Sequence, residues 1–165
     1  ANYVLCKKAW DSSSDMDEMI NDYINNVYEN AAPAMRELFE KLRLWFAKTI
    51  EKFGIGNGGS MQGDISGNKK YWGYGLVQEL FDICDKAYDS LNVYAKDAKY
   101  KRLKAYIDIE WLIPAKVAIS CYEDKFTASE FIAIKKKFKD ICLDQGIKDI
   151  REFVSIQSYL ESLGV

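Results

Sequence analysis

Apolar residues recur at spacings of three and four through most of the chain, the period that lines them along one face of an α-helix. Met16, Ile20, Tyr23, Ile24 and Val27 predict a helix over about 15–29. The DSSSD ahead of it supplies N-cap side chains, with Ser14 or a neighbour accepting from the N–H groups of the first turn. Met35, Leu38, Phe39, Leu42, Phe46, Ile50 and Phe53 predict a second helix, with Pro33 in its first turn and Gly54 ending it. Leu76, Leu80, Phe81, Cys84, Ala87, Tyr88, Leu91 and Tyr94 mark a third over about 74–96. The segment YKRLKAYIDIEWLIPAKVAISCYEDKF is apolar on more of its circumference and reads as the most buried element, kinked or split at Pro114.

Thr127-Ala-Ser-Glu130 has the form of a capping box, starting a helix to about Gln145 with Gly146 as its C-terminal stop. Ile150, Phe153, Val154, Leu160 and Leu163 predict a last helix over about 149–163. Residues 2–10 read as the tail of a further helix whose beginning is missing. The pattern is that of an all-α bundle of six or seven helices forming a single helical domain over 1–165. It holds no β-hairpin signal, no internal repeat and no dividing linker.

One stretch breaks the helical pattern. GIGNGGSMQGDISGNKKYWGYG, from Gly54 to Gly75, holds eight of the ten glycines and predicts one long glycine-rich loop. It contains no Gly-Lys-[Ser/Thr], which a phosphate-binding P-loop needs. Gly54, Gly56 and Gly59 fit G-x-G-x-x-G, but KTIEKF before them ends a helix instead of forming a buried strand, so we read the match as accidental. The loop closes on Lys70, Tyr71, Trp72 and Tyr74. Rings beside small flexible residues can stack on the apolar faces of sugars while Lys meets a carboxylate, making these four candidate glycan contacts. The same residues can equally anchor the loop to the bundle.

Composition narrows the chemistry. The 165 residues are 48 % hydrophobic and 14 % aromatic, enough for a core of their own. A net charge of −2 from 23 basic and 25 acidic residues leaves no electrostatic footprint for nucleic acid. Lys135, Lys136, Lys137 and Lys139 are interleaved with Phe131, Ile134, Phe138 and Ile141 and read as a solvated helix face. No apolar run is long enough to insert in a membrane, and the N-terminus has no signal-peptide pattern.

There is no histidine, which removes Ser-His and Cys-His dyads and the H-E-x-x-H zinc helix. No metal or cofactor motif replaces it. Cys84, Cys121 and Cys142 fall among apolar positions and read as small buried hydrophobes, although sequence leaves open a disulfide among the four cysteines, Cys6 included. Asp108 and Glu110 invite a paired-carboxylate reading, but residues two apart on a helix point about 200° apart. We read Glu110 as a buried carboxylate tied to a neighbouring Arg or Tyr, and catalysis by the pair ranks last.

The run NYVLCKKAWDSSSDMDEMINDYINNVYENAAPAMRELFEKL resembles the C-terminal part of a bacterial domain-of-unknown-function family related to α-glucuronidases and other glycoside hydrolases. That family shows a Leu-rich helix ending in Trp-Asn/Asp-Pro, a D-V-D-x-L-I-x-x-F helix, then Tyr-Tyr-Gly-x-Ala-Ala-Pro. The matching positions are Val4-Leu5 to Trp10-Asp11, Asp15 to Ile20, and Val27-Tyr28-Glu29-Asn30-Ala31-Ala32-Pro33. The later match, through Leu80-Phe81-Asp82, Ala87 and Tyr100 to Leu103, is looser. Ser12 stands for the family's Pro, Val27 for its first Tyr and Glu29 for its Gly.

The resemblance implies a preceding (β/α)₈ barrel bearing the acid and base, none of which lies in this chain. The expectation is a non-catalytic helical C-terminal portion of a larger carbohydrate-active protein, periplasmic or at the cell surface. Such a portion can support the barrel, form homodimer contacts or lend a loop to a glycan cleft. The rival expectation is a free-standing helical adaptor or inhibitor that binds a protein through an exposed face, for which the 11 tyrosines and balanced charge speak.

Overall fold

The computed structural model describes residues 2–54, 67–151 and 154–165. Gly56, Gly58, Gly59 and Gly63 of the glycine-rich stretch, and Phe153 of the last predicted helix, lie outside them. The protein is an all-α helical bundle. Its described residues form α1 (Asn2–Trp10), α2 (Met16–Tyr28), α3 (Ala32–Phe53), α4 (Tyr74–Ser90), α5 (Lys99–Cys121), α6 (Ala128–Asp144) and α7 (Ile156–Ser162). They divide into two compact units, one of Ala1–Phe46 with Ile83–Ile107, the other of Ala47–Asp82 with Asp108–Val165. The boundaries fall within α3, α4 and α5, where no linker exists.

In the first unit, Asp15 caps α2, its side chain accepting from the Glu18 N–H. Ser14 is not the cap; Ser13 and Ser14 instead donate their hydroxyls to Asp11 at 2.6 and 2.7 Å. A 3₁₀ turn over Glu29–Ala31 links α2 to α3, and Pro33 sits in the first turn of α3, where its missing N–H costs nothing. Ala31, Met35 and Leu38 are fully buried, as are Cys84, Ala87 and Leu91. Met35, Leu38 and Leu91 are among the largest fully buried side chains of the described residues.

In the second unit, Thr127 and Glu130 form the expected capping box of α6. Gly146, at φ +62°, ends the helix. Its N–H reaches the Leu143 carbonyl and that of Ile147 the Cys142 carbonyl, the two bonds of a Schellman stop. Gly54, at φ +64°, ends α3 with its N–H on the Ile50 carbonyl at 2.8 Å. α5 runs unbroken through Pro114, so the proline does not split it, and Pro114 is itself fully buried. Phe138, Val117 and Ala118 are buried with it.

The last predicted helix is corrected. Asp149–Arg151 and Val154–Ser155 pair as a short antiparallel ladder, β1 and β2, and α7 begins only at Ile156. Ser155 decides the start, because its side chain accepts from the Gln157 N–H and closes the helix there. The lysine face of α6 is not simply solvated either. Lys135 donates to the Leu163 carbonyl at 3.1 Å, placing a cation at the C-terminal end of α7.

Candidate functional site

The glycine-rich stretch returns to the described chain at Gly67 and leads into α4 through a turn in which the Lys70 N–H reaches the Asn68 side chain at 2.9 Å. Its aromatic residues are fixed by rings. Tyr71 meets Phe53 edge-on at 5.2 Å, and Tyr74 lies 5.3 Å from Tyr122 and 6.0 Å from Phe126. The Trp72 carbonyl accepts the Tyr122 hydroxyl, whose pKa is pushed up chiefly by burial. Lys69 bridges to Asp124 at 3.2 Å and stands 5.1 Å over the Tyr122 ring, and its hydrogen bond holds the Asp124 carboxyl below its usual range.

The four candidate glycan contacts thus have different surroundings. Trp72 is buried at 5 % exposure, Tyr71 and Tyr74 are half-buried, and Lys70 is exposed with its ammonium 4.7 Å over the Phe53 ring. Anchoring accounts for Trp72, Tyr71 and Tyr74, while Lys70 and one side of Tyr71 stay accessible.

Trp72 also lines a cavity of about 360 Å³. Leu112, Ile113, Lys116 and Val117 form one wall, a single face of α5 by their spacing. Phe138 and Cys142, four apart on α6, form another, and Ile147, Asp149, Ile150 and Ile156 complete the lining. Lys70, Tyr71 and Tyr74 are not part of it. Sequence reasoning found Trp72 but missed the α5 and β1 walls. The signal was present in the unusually wide apolar face of α5, which exceeds what one neighbouring helix can cover.

Asp108 and Glu110 do not converge. Asp108 is the buried carboxylate at 6 % exposure and Glu110 is half-buried, the reverse of the expected emphasis on Glu110. Asp108 and Trp111, three apart on the helix, are both buried. All four cysteines are free thiols, with Cys84, Cys121 and Cys142 buried as expected, and burial pushes Cys142 up to about 11. Among the described residues no group of three His, Cys, Asp or Glu side chains could hold a metal ion. No described helix is long and apolar enough to cross a membrane.

A second polar cluster, in the first unit, was not foreseen. Glu29 has φ +47°, a backbone conformation that ordinary side chains seldom adopt. Its carboxylate accepts from Tyr94 Oη at 3.1 Å, Lys99 Nζ at 3.2 Å and Arg102 Nη2 at 2.8 Å. The Lys99 hydrogen bond is the largest cause holding its pKa below the usual carboxylate range.

No protein-family model matches the chain, and neither a curated protein nor a solved structure matches it.

Proposed function

We propose that this chain is the non-catalytic helical portion of a larger carbohydrate-active, glycoside hydrolase-like bacterial protein, periplasmic or at the cell surface. Its role is to support an N-terminal catalytic barrel of the same parent chain. The observation that carries the reading is the turn at Glu29. The resembled motif has glycine there, and the backbone here takes the positive φ that glycine favours. Ala31 and Ala32 of the same motif are buried at 0 and 3 %, and Pro33 lies in the first helical turn. Residue by residue, the motif does the structural work of a helix–turn–helix, which suits a supporting element better than a catalytic one. Lys70 and Tyr71 are the side chains that a neighbouring glycan cleft would meet, because Trp72 is enclosed.

The test is the size of the native protein, probed in source cells with an antibody against this chain. A band far above 19.0 kDa, with glycan hydrolysis by the protein it marks, is the expected result. A band at that mass would overturn the reading.

One observation favours the rival reading of a protein-interaction module. Met16, Ile20 and Tyr23 follow one another along α2 at 52, 40 and 40 % exposure, and Trp10 at the end of α1 is 94 % exposed. Large exposed side chains in one compact unit are the usual material of a protein interface. Recovery of a stoichiometric protein partner with the native 19.0 kDa chain is its expected outcome, and repeated failure to recover one would count against it.

A further inference from the structure

The cavity in the second unit has a chemistry of its own. Among the described residues its lining is aliphatic, aromatic or, at Cys142, a buried thiol, except for two side chains of opposite charge, Lys116 and Asp149. Lys116 directs its ammonium to Ser120 Oγ at 3.2 Å and over the Tyr159 ring at 4.7 Å, and Asp149 is exposed. Neither offers a dedicated counter-charge. A sugar ring would lose much of its water here with Lys116 and Asp149 as the charged lining groups to bond in return, and an ion would lose more. The cavity is therefore no glycan subsite.

Size sets the other bound. An apolar cavity of about 150 Å³ holds benzene. At about 360 Å³ this one has room for two fused rings or a substituted one, and it falls in the range of small-molecule sites. Trp72 and Phe138 supply flat walls to such a ligand.

We infer that the open cavity between α5, α6 and the β1 segment is a binding site for a neutral, flat, apolar molecule of bicyclic size, seated against Trp72, Ile113, Val117 and Phe138. The inference is independent of the glycan reading and of the parent protein, since every lining residue belongs to one compact unit. The chain as it stands is the material for the experiment.

The probe is N-phenyl-1-naphthylamine, titrated into the 165-residue chain with excitation of tryptophan. A single saturable rise in sensitised, blue-shifted emission is expected. Ile113→Trp, at a half-exposed position on the wall, fills the space and weakens binding by about tenfold or more, with helical circular dichroism unchanged. Ile132→Trp, on the exposed side of α6 and outside the lining, leaves binding as it was. Where Ile113→Trp loses its helical signal, Ile147→Trp takes its place. Naphthalene displaces the probe, and 2-naphthoate, the same rings with a carboxylate, does so about tenfold less well or worse. Absence of saturation, equal binding by the wall and control variants, or equal displacement by the naphthoate would each overturn the inference.

Discussion

Asp11 shows how far a surface carboxylate can be shaped by its neighbours alone. It accepts from the Ser13 N–H at 2.9 Å and from the hydroxyls of Ser13 and Ser14, and these bonds lower its pKa from 3.8 to about 2. The Ser13 hydroxyl is the largest cause. A depressed pKa means that the turn between α1 and α2 is stabilised above pH 3.8 and loses that contribution as pH falls through about 2. We predict an NMR titration midpoint near 2 for Asp11, moving back toward 3.8 in a Ser13→Ala, Ser14→Ala double variant. An unmoved midpoint would show that the hydroxyls are not its cause. Glu29 poses the opposite problem, a favourable side chain on an unfavourable backbone. Its ion pairs with Lys99 and Arg102 involve partners about half exposed, so solvent weakens them. The backbone dominates on this comparison. Glu29→Gly and Glu29→Ala both lose the carboxylate, but only glycine relieves the positive φ. We expect the unfolding constant of the alanine variant to exceed that of the glycine variant by about fivefold or more in urea titrations.

At the scale of the element, the helix ends decide what could be read in advance. Thr127, Glu130 and Gly146 are each the residue type that their position demands, and all three were legible from type and spacing. Thr127→Ala should cost about 1 kcal/mol and Thr127→Ser much less, read as shifts in the urea midpoint. Gly146 and Gly75 make a sharper pair, since a Cβ at either meets nothing within 4 Å. Gly146→Ala is expected to destabilise by about 1 kcal/mol because of its φ of +62°. Gly75→Ala, inside α4 without a positive φ, is expected to stabilise by roughly 0.5 kcal/mol. Equal effects of the two substitutions would refute the backbone account. The misread segment, 149–155, failed for a physical reason. Ile150 and Leu160 keep a helix-compatible spacing, but the Schellman stop at Gly146 sends the chain out extended, and Ser155 recaps it. Periodicity reports which side is apolar and says little about where a short extended segment interrupts a helix. The cavity was legible only in the wide apolar face of α5, for a related reason: its walls come from α5, α6 and β1, and no pattern within one helix shows which other segments it will face.

For the molecule as a whole, the glycan proposal and the packing of the Trp72 region make separable demands on the same segment. Trp72 is 5 % exposed, holds the Tyr122 hydroxyl at its carbonyl and lines the cavity. Its replacement by Ala should cost about 3–5 kcal/mol of stability, as removal of a buried indole does. Any loss of glycan turnover in that variant would therefore report unfolding as readily as a lost contact. Tyr74, held between Tyr122 and Phe126, carries the same ambiguity. Lys70 and Tyr71 carry less of it, because one is exposed and the other half-buried, with Phe53 as a ring neighbour. In the proposed parent protein, Lys70→Ala with Tyr71→Ala is expected to leave the thermal midpoint within a few degrees and to raise KM for glycan with kcat little changed. That pattern is the signature of a binding contact remote from the reacting atoms. Unchanged KM and kcat in the double variant would confine this segment to anchoring, and the proposed role of the helices would then reduce to support alone.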